Sequence, residues 1–505
     1  MLNRLKLLAR SSAPVAWGLL IALLPVTSLP LLARLTGASS VSTAAAIPLA
    51  WLVLVWFIPY LVTGGKLPRL TLAYLGLLTV FGLSSLLAYF NNIPFFSDRS
   101  VAAREIEALF TLGVGAAFYL VASSWPVNEK RLRTTLQILN WSGLVMLLWS
   151  FLQAYFWFRT DSIPDVMTRI QHIFSVNEFF YHRVNGFAFE PSWYAHLLNM
   201  QYLPFWLSAT VLGTSVHRFR LARLSLENIL FGLGVATLFL SFSRVGLIGF
   251  LLVVAYLGIW GAVALGRKIQ RWLYGRLRGL SPVVNRYLIP AAILFSFLVV
   301  FLGGSLGIVW EASHFDPRLA KIFQRDTWTT NLYRSANNLE FAERMVFWAT
   351  GWKVFNEHPI FGVGLGNAGF YFQQQMPGFG WSLTEVNTVM FRSTAIPNTK
   401  SLWARILAEG GLFGFAFWLG WLYLVWRAAR QAYRSGKPLV RTIGLAGTLV
   451  LVALLSEGFS VDSFALPFLW ISCGLVTATT RISDHVEPAT VPQANSDEMS
   501  AGHEE

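Results

Sequence analysis

Five cationic side chains lie beside long apolar segments, where isolated charges are unusual. They are Arg183, Arg244, Arg344, Lys400 and Arg405. A planar guanidinium group can form two parallel hydrogen bonds to a phosphate, so clustered arginines are suited to binding a diphosphate. Such a cluster could stabilise the charge that develops on a leaving diphosphate. This chemistry requires that the fold bring the side chains together.

Two carboxylates in the same motifs are candidates for acid–base chemistry. Glu190 precedes Pro191, a residue suited to the first turn of a helix, so its carboxylate could simply favour the helix N-terminus. A catalytic or substrate-binding role for Glu190 is equally open. Glu409 follows Arg405 by four residues on one helix face. The two could simply form an ion pair with no further role. Arg244 could snorkel to the membrane surface, but a lone arginine between two spans favours a function.

The motifs favour neither a metal site nor a nucleotide site. The histidines of the predicted outer loops share no metal-ligand spacing; they are His172, His182, His314 and His358. The run Gly362-Val-Gly364-Leu-Gly366 resembles a dinucleotide fingerprint, but no strand precedes it and no βαβ unit surrounds it. We predict no metal and no cofactor. The glycines predict a sharp turn of the backbone, whose amides could face an anion.

The composition predicts an all-α polytopic membrane protein. Of 505 residues, 55% are hydrophobic and 13% are charged, about half the charged fraction of a soluble domain. Segments of roughly 20 apolar residues, enough to cross a bilayer, recur along the chain. We expect about twelve transmembrane helices. Their approximate positions are 14–35, 44–63, 69–90, 106–124, 135–158, 191–213, 226–242, 245–265, 288–310, 402–426, 440–458 and 461–480.

The charge distribution predicts the topology. The net charge is +14, and Lys and Arg gather in the even-numbered connections, as the positive-inside rule requires of cytoplasmic loops. Nucleic acid is therefore not needed as a partner to explain the charge. We predict a multi-pass protein of the inner membrane with both termini cytoplasmic, and we interpret the first apolar run as a span and not as a signal peptide. The single cysteine, Cys473, excludes an intramolecular disulfide.

The spans divide the chain into a membrane domain, residues 1–482, and a disordered cytoplasmic tail, residues 483–505. The odd-numbered connections face outward, and two of them are long, at 159–190 and 311–401. The second contains apolar residues at helical spacing, which predict an amphipathic helix that packs on the bundle or lies at the interface. These are Phe341, Met345, Trp348, Trp352 and Phe355. All five cations fall on the outer side, where the positive-inside rule disfavours them.

Several motifs, taken in their order, resemble the core shared by the O-antigen ligase and O-antigen polymerase superfamily. They are Glu343-Arg344 with Trp348, His358-Pro359 with Gly362-Val-Gly364-Leu-Gly366-Asn367, and Leu402 with Glu409-Gly-Gly-Leu-Phe-Gly414. The segments Arg183-Val-Asn-Gly-Phe and Glu190-Pro-Ser are similar to a motif of polymerase-like members, and Ser243-Arg244 also fits. The order and spacing of the motifs together carry the resemblance.

The resemblance implies a metal-independent glycosyltransferase of the outer leaflet. Such enzymes transfer a glycan from a polyprenyl-diphosphate-linked oligosaccharide to an acceptor, which is another lipid-linked repeat unit in polymerases and lipid A–core or a protein in ligases. It implies that the outer arginines bind the diphosphate, and these would be Arg183 and Arg244, with Arg344 a further candidate. The clustering of outer cations adds Arg405 as a candidate for the same diphosphate site. The implied partners are the lipid-linked substrate and membrane lipids, and a chain-length regulator is left open.

One departure favours a polymerase over a ligase. Ligases of this family carry a histidine before the last large helix, and the corresponding position here is Lys400. A protonated lysine is a poor general base unless burial lowers its pKa. The candidate catalytic residues are Glu190, Glu409 and Lys400. A ligase is the first alternative. A transporter or flippase is the second, although a transporter should place its ionisable residues near the bilayer midplane.

Overall fold

The structure is a computed structural model, and it describes residues 2–36, 41–96, 99–276, 287–314, 320–329, 332–392 and 396–484. Within these residues the chain is predominantly helical. The described strands are β1 (Arg220–Leu221) and β2 (Leu224–Ser225), which form a two-residue antiparallel ribbon. The prediction of an all-α polytopic membrane protein is confirmed. The predicted tail lies outside the described residues from residue 485 onward.

Eighteen α-helices of five or more residues lie in the described part of the chain. They are α1 (Leu2–Ala22), α2 (Pro30–Thr36), α3 (Ala46–Leu52), α4 (Ile58–Val62), α5 (Leu70–Ala88), α6 (Val101–Ser124), α7 (Glu129–Thr160), α8 (Asp165–Phe174), α9 (Pro191–Leu197), α10 (Leu203–Leu212), α11 (Leu226–Leu240), α12 (Arg244–Arg276), α13 (Ile289–Ser313), α14 (Leu332–Asn338), α15 (Ala342–Glu357), α16 (Leu402–Tyr433), α17 (Pro438–Glu457) and α18 (Pro467–Asp484). Wider π-turns, at Val53–Phe57 and Leu198–Tyr202, join α3 to α4 and α9 to α10. Shorter helical turns lie at Lys321–Phe323, Arg325–Trp328, Ala368–Tyr371, Phe372–Gln375, Gly378–Ser382, Thr384–Asn387 and Thr388–Arg392.

Each of the predicted spans contains a helix. Among the described residues, seven helices are long and apolar enough to cross a membrane, and three further apolar helices are shorter. The first span ends earlier than predicted, because α1 stops at Ala22 and Pro25 has no N–H with which to continue it. The span predicted at 191–213 is two short helices around a π-turn.

The connections between helices gather at two ends of the bundle. At one end, Ser28 pairs with Ser42 and with Ser175, which joins two odd-numbered connections. At the other end, Gln137 Nε2 donates to the Val216 carbonyl at 2.9 Å, and Thr214 contacts Thr442. We call these the upper end and the lower end. This separation is what an alternating up-and-down topology predicts, and the orientation of the two ends in the cell stays a prediction.

Aromatic side chains fill the core between α5, α6, α16 and α18. Trp418 and Trp421 of α16 are almost completely buried, and the Trp421 ring lies 5.6 Å from that of Trp470. Tyr74 of α5 packs against the Trp421 ring at 5.2 Å. Tilted and edge-on contacts of this kind stabilise packing beyond the area that they bury. This core holds the start of α16, which carries the last of the sequence motifs, against the rest of the bundle.

The glycine run forms a packing joint with a break in α16. Gly411 has φ 62° and ψ −162°, which interrupts the helix. The loop after α15 fills the gap, since the amide of Gly364 donates to the Glu409 carbonyl and that of Val363 to the Ala408 carbonyl, both at 3.0 Å. The Gly362 amide also has a backbone partner. These amides are therefore engaged within the protein, and the glycines serve the sharp backbone turn that the sequence predicts.

Replacing Gly362 by alanine should destabilise this joint. Gly362 has φ +71°, and an added Cβ would lie 2.6 Å from the Ala408 carbonyl oxygen, a backbone atom that cannot swing away. Left-handed strain and overpacking together predict a loss of about 2–5 kcal/mol. Thermal unfolding of the detergent-solubilised protein measures it. Gly303→Ala is the control, because a Cβ there meets nothing within 4 Å. Equal melting temperatures for Gly362→Ala and Gly303→Ala would contradict the contribution of this joint to stability.

The amphipathic helix predicted in the second long loop is α15, but its buried face differs from the predicted stripe. Val346, Thr350 and Val354 are fully buried, whereas Trp352 of the predicted stripe is 53% exposed. The reason is close approach to the start of α16, where a Cβ on Gly351 would lie 2.7 Å from the side chain of Thr399. Small residues therefore face the neighbouring helix, Phe347 and Phe355 are also buried, and Trp352 lies at the rim.

Candidate active site

Arg183 and Arg244 lie on either side of the turn that joins α11 to α12. The Val184 amide donates to the Leu240 carbonyl at 3.1 Å, which fixes the end of the first long loop against this turn. The side chain of Arg183 donates from Nε to the Ser241 carbonyl at 3.1 Å. Arg244 opens α12 three residues further on. Two arginines from separate segments therefore lie at the same turn at the upper end.

Arg244 also connects this turn to the second long loop. Its Nη1 donates to the Leu339 carbonyl, and its Nη2 donates to the Glu340 carbonyl at 3.1 Å. Glu340 has a positive φ of 51°, which turns the chain just before α15. Arg344 lies in the first turn of that helix. These two hydrogen bonds of Arg244 thus fix where α15 begins. They place Arg344, in the first turn of α15, on the same side of the bundle as Arg183 and Arg244.

Arg344 contacts the short loop between α17 and α18, residues 458–466, which we call the 458–466 loop. Its Nη1 donates to the Ser460 hydroxyl at 2.7 Å. The Trp348 ring packs 5.2 Å from that of Phe459 in the same loop. Backbone contacts join this loop to the start of α16, since the Leu402 amide donates to the Gly458 carbonyl at 2.7 Å. The loop therefore lies between Arg344 and Lys400.

Lys400 lies at the centre of a group of carboxylates. It has a positive φ of 49°, its ammonium group contacts Glu385, and it lies 4.9 Å above the Phe347 ring. Burial lowers the pKa of Lys400. The Asp462 carboxylate opposes this shift, the positive charge of Arg344 adds to it, and Glu190 and Glu343 also oppose it. The Glu385 carboxylate acts in the same direction as the other carboxylates. The net pKa of Lys400 is below its usual value, so its ammonium group loses a proton more easily than that of a free lysine.

Glu190 belongs to this group and does not cap α9 with its side chain. It occupies the N-cap position, but its carboxylate makes no capping hydrogen bond. It accepts a hydrogen bond from the Ser192 hydroxyl instead. Its charge reaches Lys400. The side chain is partly exposed, so it is accessible from the upper end.

Arg405 and Glu409 lie deeper and bind each other. Arg405 Nε donates to Glu409 Oε2 at 2.9 Å, and the two side chains are 8% and 3% exposed. The Arg405 guanidinium also donates to the Asp462 carbonyl at 2.5 Å and lies 4.6 Å from the centre of the Phe464 ring. This geometry makes the pair a support beneath the 458–466 loop. The assignment of Arg405 to the diphosphate and of Glu409 to catalysis stays a prediction.

Breaking the Arg405–Glu409 pair should destabilise the protein. Arg405→Ala leaves the Glu409 carboxylate buried without its cation, which should cost about 3–5 kcal/mol. Thermal unfolding in detergent measures the loss. Glu107→Ala is the control, because it breaks an exposed pair with Arg104 that should contribute at most about 1 kcal/mol. Equal melting temperatures for Arg405→Ala and Glu107→Ala would contradict a supporting role for the Arg405–Glu409 pair.

Sequence reasoning missed three residues of the site, Ser460, Asp462 and Glu385, and used Glu343 only as part of a motif. Ser460 lies in a connection that was predicted to be only two residues long, and Asp462 lies just inside the span predicted at 461–480. Polar residues between two apolar spans on the outer side were the available signal, in Ser460-Val-Asp462-Ser. Glu385, from the middle of the second long loop, had no recognisable pattern around it. Among the residues that the structure describes, no group of three or more His, Cys, Asp or Glu side chains could hold a metal ion.

Comparison with known proteins finds one family that matches part of the chain. Residues 229–419 match the O-antigen ligase family. This match confirms the resemblance to the O-antigen ligase and polymerase superfamily, whose members are glycosyltransferase-like enzymes that act on lipid-linked glycans. The matched segment includes Arg244, Arg344 and Lys400, whereas Arg183 and Glu190 precede it. No curated protein matches the chain.

Proposed function

We propose that this protein polymerises polyprenyl-diphosphate-linked oligosaccharide repeat units at the outer face of the inner membrane. The observation that carries the proposal is the convergence of four cations from four segments of the chain. Arg183 contacts Ser241, three residues before Arg244. Arg244 contacts the residues before α15, and Arg344 contacts the 458–466 loop beside Lys400. A cationic site at the end of the bundle suits a headgroup at the membrane surface better than a solute crossing the midplane.

In this proposal the arginines and Lys400 have different roles. Arg183, Arg244 and Arg344 bind the diphosphate and stabilise its charge as the bond to the sugar breaks. The acceptor hydroxyl attacks the anomeric carbon, and the polyprenyl diphosphate leaves with the electrons of the broken bond. Lys400, as a neutral amine, accepts the proton of the hydroxyl, because burial lowers its pKa. The sequence also leaves open that Glu190, and not Lys400, accepts this proton.

A ligase is the second candidate. The matched family carries the description O-antigen ligase, and Lys400 occupies the position at which ligases of the family carry a histidine. A lysine with a lowered pKa could replace that histidine as the base. In a ligase the same donor site would serve a different acceptor, lipid A–core or a protein.

Surface polysaccharide from a deletion strain separates the candidates. Gel electrophoresis should show loss of the ladder of long chains and retention of single repeats on the acceptor, and the native gene should restore the ladder. Loss of all glycan from the acceptor, with lipid-linked polymer accumulating, would mean a ligase. Loss of all glycan with single lipid-linked repeats accumulating on the cytoplasmic side would mean a flippase. An unchanged ladder would contradict the polymerase proposal.

A further inference from the structure

Three polar side chains are buried together inside the helix bundle, and no step of the proposed reaction uses them. They are His196, Asn199 and Glu457, which are at most 2% exposed. Nδ1 of His196 and Oε2 of Glu457 share a hydrogen bond, and Asn199 Nδ2 donates to Glu457 Oε1 at 2.5 Å. We call them the buried triad. Ionisable groups inside a membrane bundle are costly, so their presence is a functional hypothesis by default.

The triad joins three of the elements that carry the candidate site. His196 lies on α9, which begins directly after Glu190. Asn199 Nδ2 also donates at 2.6 Å to the carbonyl of Gly246, two residues after Arg244 at the start of α12. Glu457 is the last residue of α17, and the 458–466 loop follows it. One set of hydrogen bonds thus fixes the positions from which Glu190, Arg244 and the 458–466 loop project.

The helices are shaped to make this contact possible. Asn199 lies in the π-turn Leu198–Tyr202, and π-turns inside helices occur frequently at functional sites. The Ser472 hydroxyl satisfies the Met200 carbonyl of that turn at 2.7 Å. On the other side, a Cβ at Gly249 of α12 would lie 2.5 Å from Glu457 Oε1. A widened helix and a glycine both make room for the carboxylate.

We propose that the buried triad is a positioning device for glycan transfer, which holds Glu190, Arg244 and the 458–466 loop at fixed distances from one another. The proposal rests on the proposed function. Its three residues do not touch the substrate and act through the elements that they join. A misplacement of about 1 Å at a reacting centre can lower a rate about 100-fold. The triad should therefore affect turnover more strongly than donor KM or stability.

The test compares Glu457 with another buried carboxylate of the same bundle. Glu227 is also fully buried, and it accepts hydrogen bonds of 3.0 Å from Asn140 Nδ2 and from the Val216 amide at the lower end. Glu457→Ala, Glu457→Gln and Glu227→Ala are reconstituted in liposomes with a polyprenyl-diphosphate-linked repeat unit. The rate of transfer, the donor KM and the melting temperature are measured for each variant and for the unmodified protein.

Glu457→Ala should lower kcat about 10- to 100-fold with donor KM within about threefold, and Glu457→Gln should recover part of the loss because its amide oxygen can still accept from Asn199. Glu227→Ala should lower the melting temperature to a similar degree and keep kcat within about twofold. Equal losses of kcat in Glu457→Ala and Glu227→Ala would overturn the positioning role, as would kcat of Glu457→Ala within twofold of the unmodified protein.

A second measurement does not depend on catalysis. Spin labels are placed on cysteines introduced at Tyr181 and Phe459, exposed residues in the loops attached to α9 and α17. The distribution of distances between them should be narrow in the unmodified protein and in Glu227→Ala, and broad in Glu457→Ala. Unchanged distributions in all three would overturn the triad as a positioning device. Absence of transfer by the unmodified protein, with the expected broadening, would overturn the proposed function alone.

Discussion

Replacing Arg244 by alanine should lower the rate of glycan transfer about 100- to 1,000-fold, because removal of one preorganised donor from a developing anion has an effect of that size. Arg183→Ala and Arg344→Ala should cause losses of the same order. Each variant should abolish long glycan chains in cells while the protein still inserts into the membrane. Transfer is measured with the purified protein, and insertion is measured by the amount of protein in the membrane fraction.

Lysine at position 244 should keep part of the activity. Its charge remains, but the planar fork that binds two phosphate oxygens is lost. Arg220→Ala is the matched control, since Arg220 is an exposed arginine in β1 at the lower end, and its activity should equal that of the unmodified protein. Full-length glycan from Arg183→Ala, Arg244→Ala and Arg344→Ala would contradict the role of these arginines in binding the diphosphate.

Replacing Lys400 by alanine should lower transfer about 100- to 10,000-fold, the usual contribution of a positioned general base. The pH dependence identifies the role. The base is the neutral amine, so the rate should rise with pH until the pKa of Lys400 is passed. Because burial lowers that pKa, the rise should be complete at a lower pH than for a free lysine, whose pKa is about 10.4.

The variant Lys400→His separates a base from a fixed positive charge. A histidine has an ordinary pKa of about 6.5, so the rise in rate should move to lower pH while activity is retained. Lys400→Arg keeps the charge and cannot supply a neutral base, so it should be as inactive as the alanine variant. An active Lys400→Arg with an unchanged pH profile would mean that Lys400 serves as a cation, and Glu190 would then be the better candidate for the base.

The sequence predicted the class of fold because hydrophobicity and charge act over whole segments. Apolar runs of membrane-spanning length are visible without tertiary information, and the distribution of Lys and Arg placed the candidate cations in the odd-numbered connections. The contacts of Arg183, Arg244, Arg344 and Lys400 with neighbouring segments at the upper end agree with that placement. The positive-inside rule made these residues noticeable, since it disfavours them there.

Contacts between distant segments could not be predicted in this way. Arg405 lies in the first turn of α16 and Asp462 lies in the 458–466 loop. Only the fold shows that the Arg405 guanidinium donates to the Asp462 carbonyl. The break at Gly411 depends on a loop that arrives from α15, and a local apolar pattern carries no information about that loop. Glu457 looked like an ordinary helix end, because its partners His196 and Asn199 lie about 260 residues away in the sequence.

Purified protein in liposomes with a polyprenyl-diphosphate-linked repeat unit as the only glycan tests the central claim most directly. In the presence of a metal chelator, we expect lipid-linked glycans of two or more repeats to form, with one polyprenyl diphosphate released for each new glycosidic bond. Arg244→Ala should form none. Donor that stays a single repeat while it crosses the bilayer, or donor that is elongated equally well by Arg244→Ala, would contradict the account.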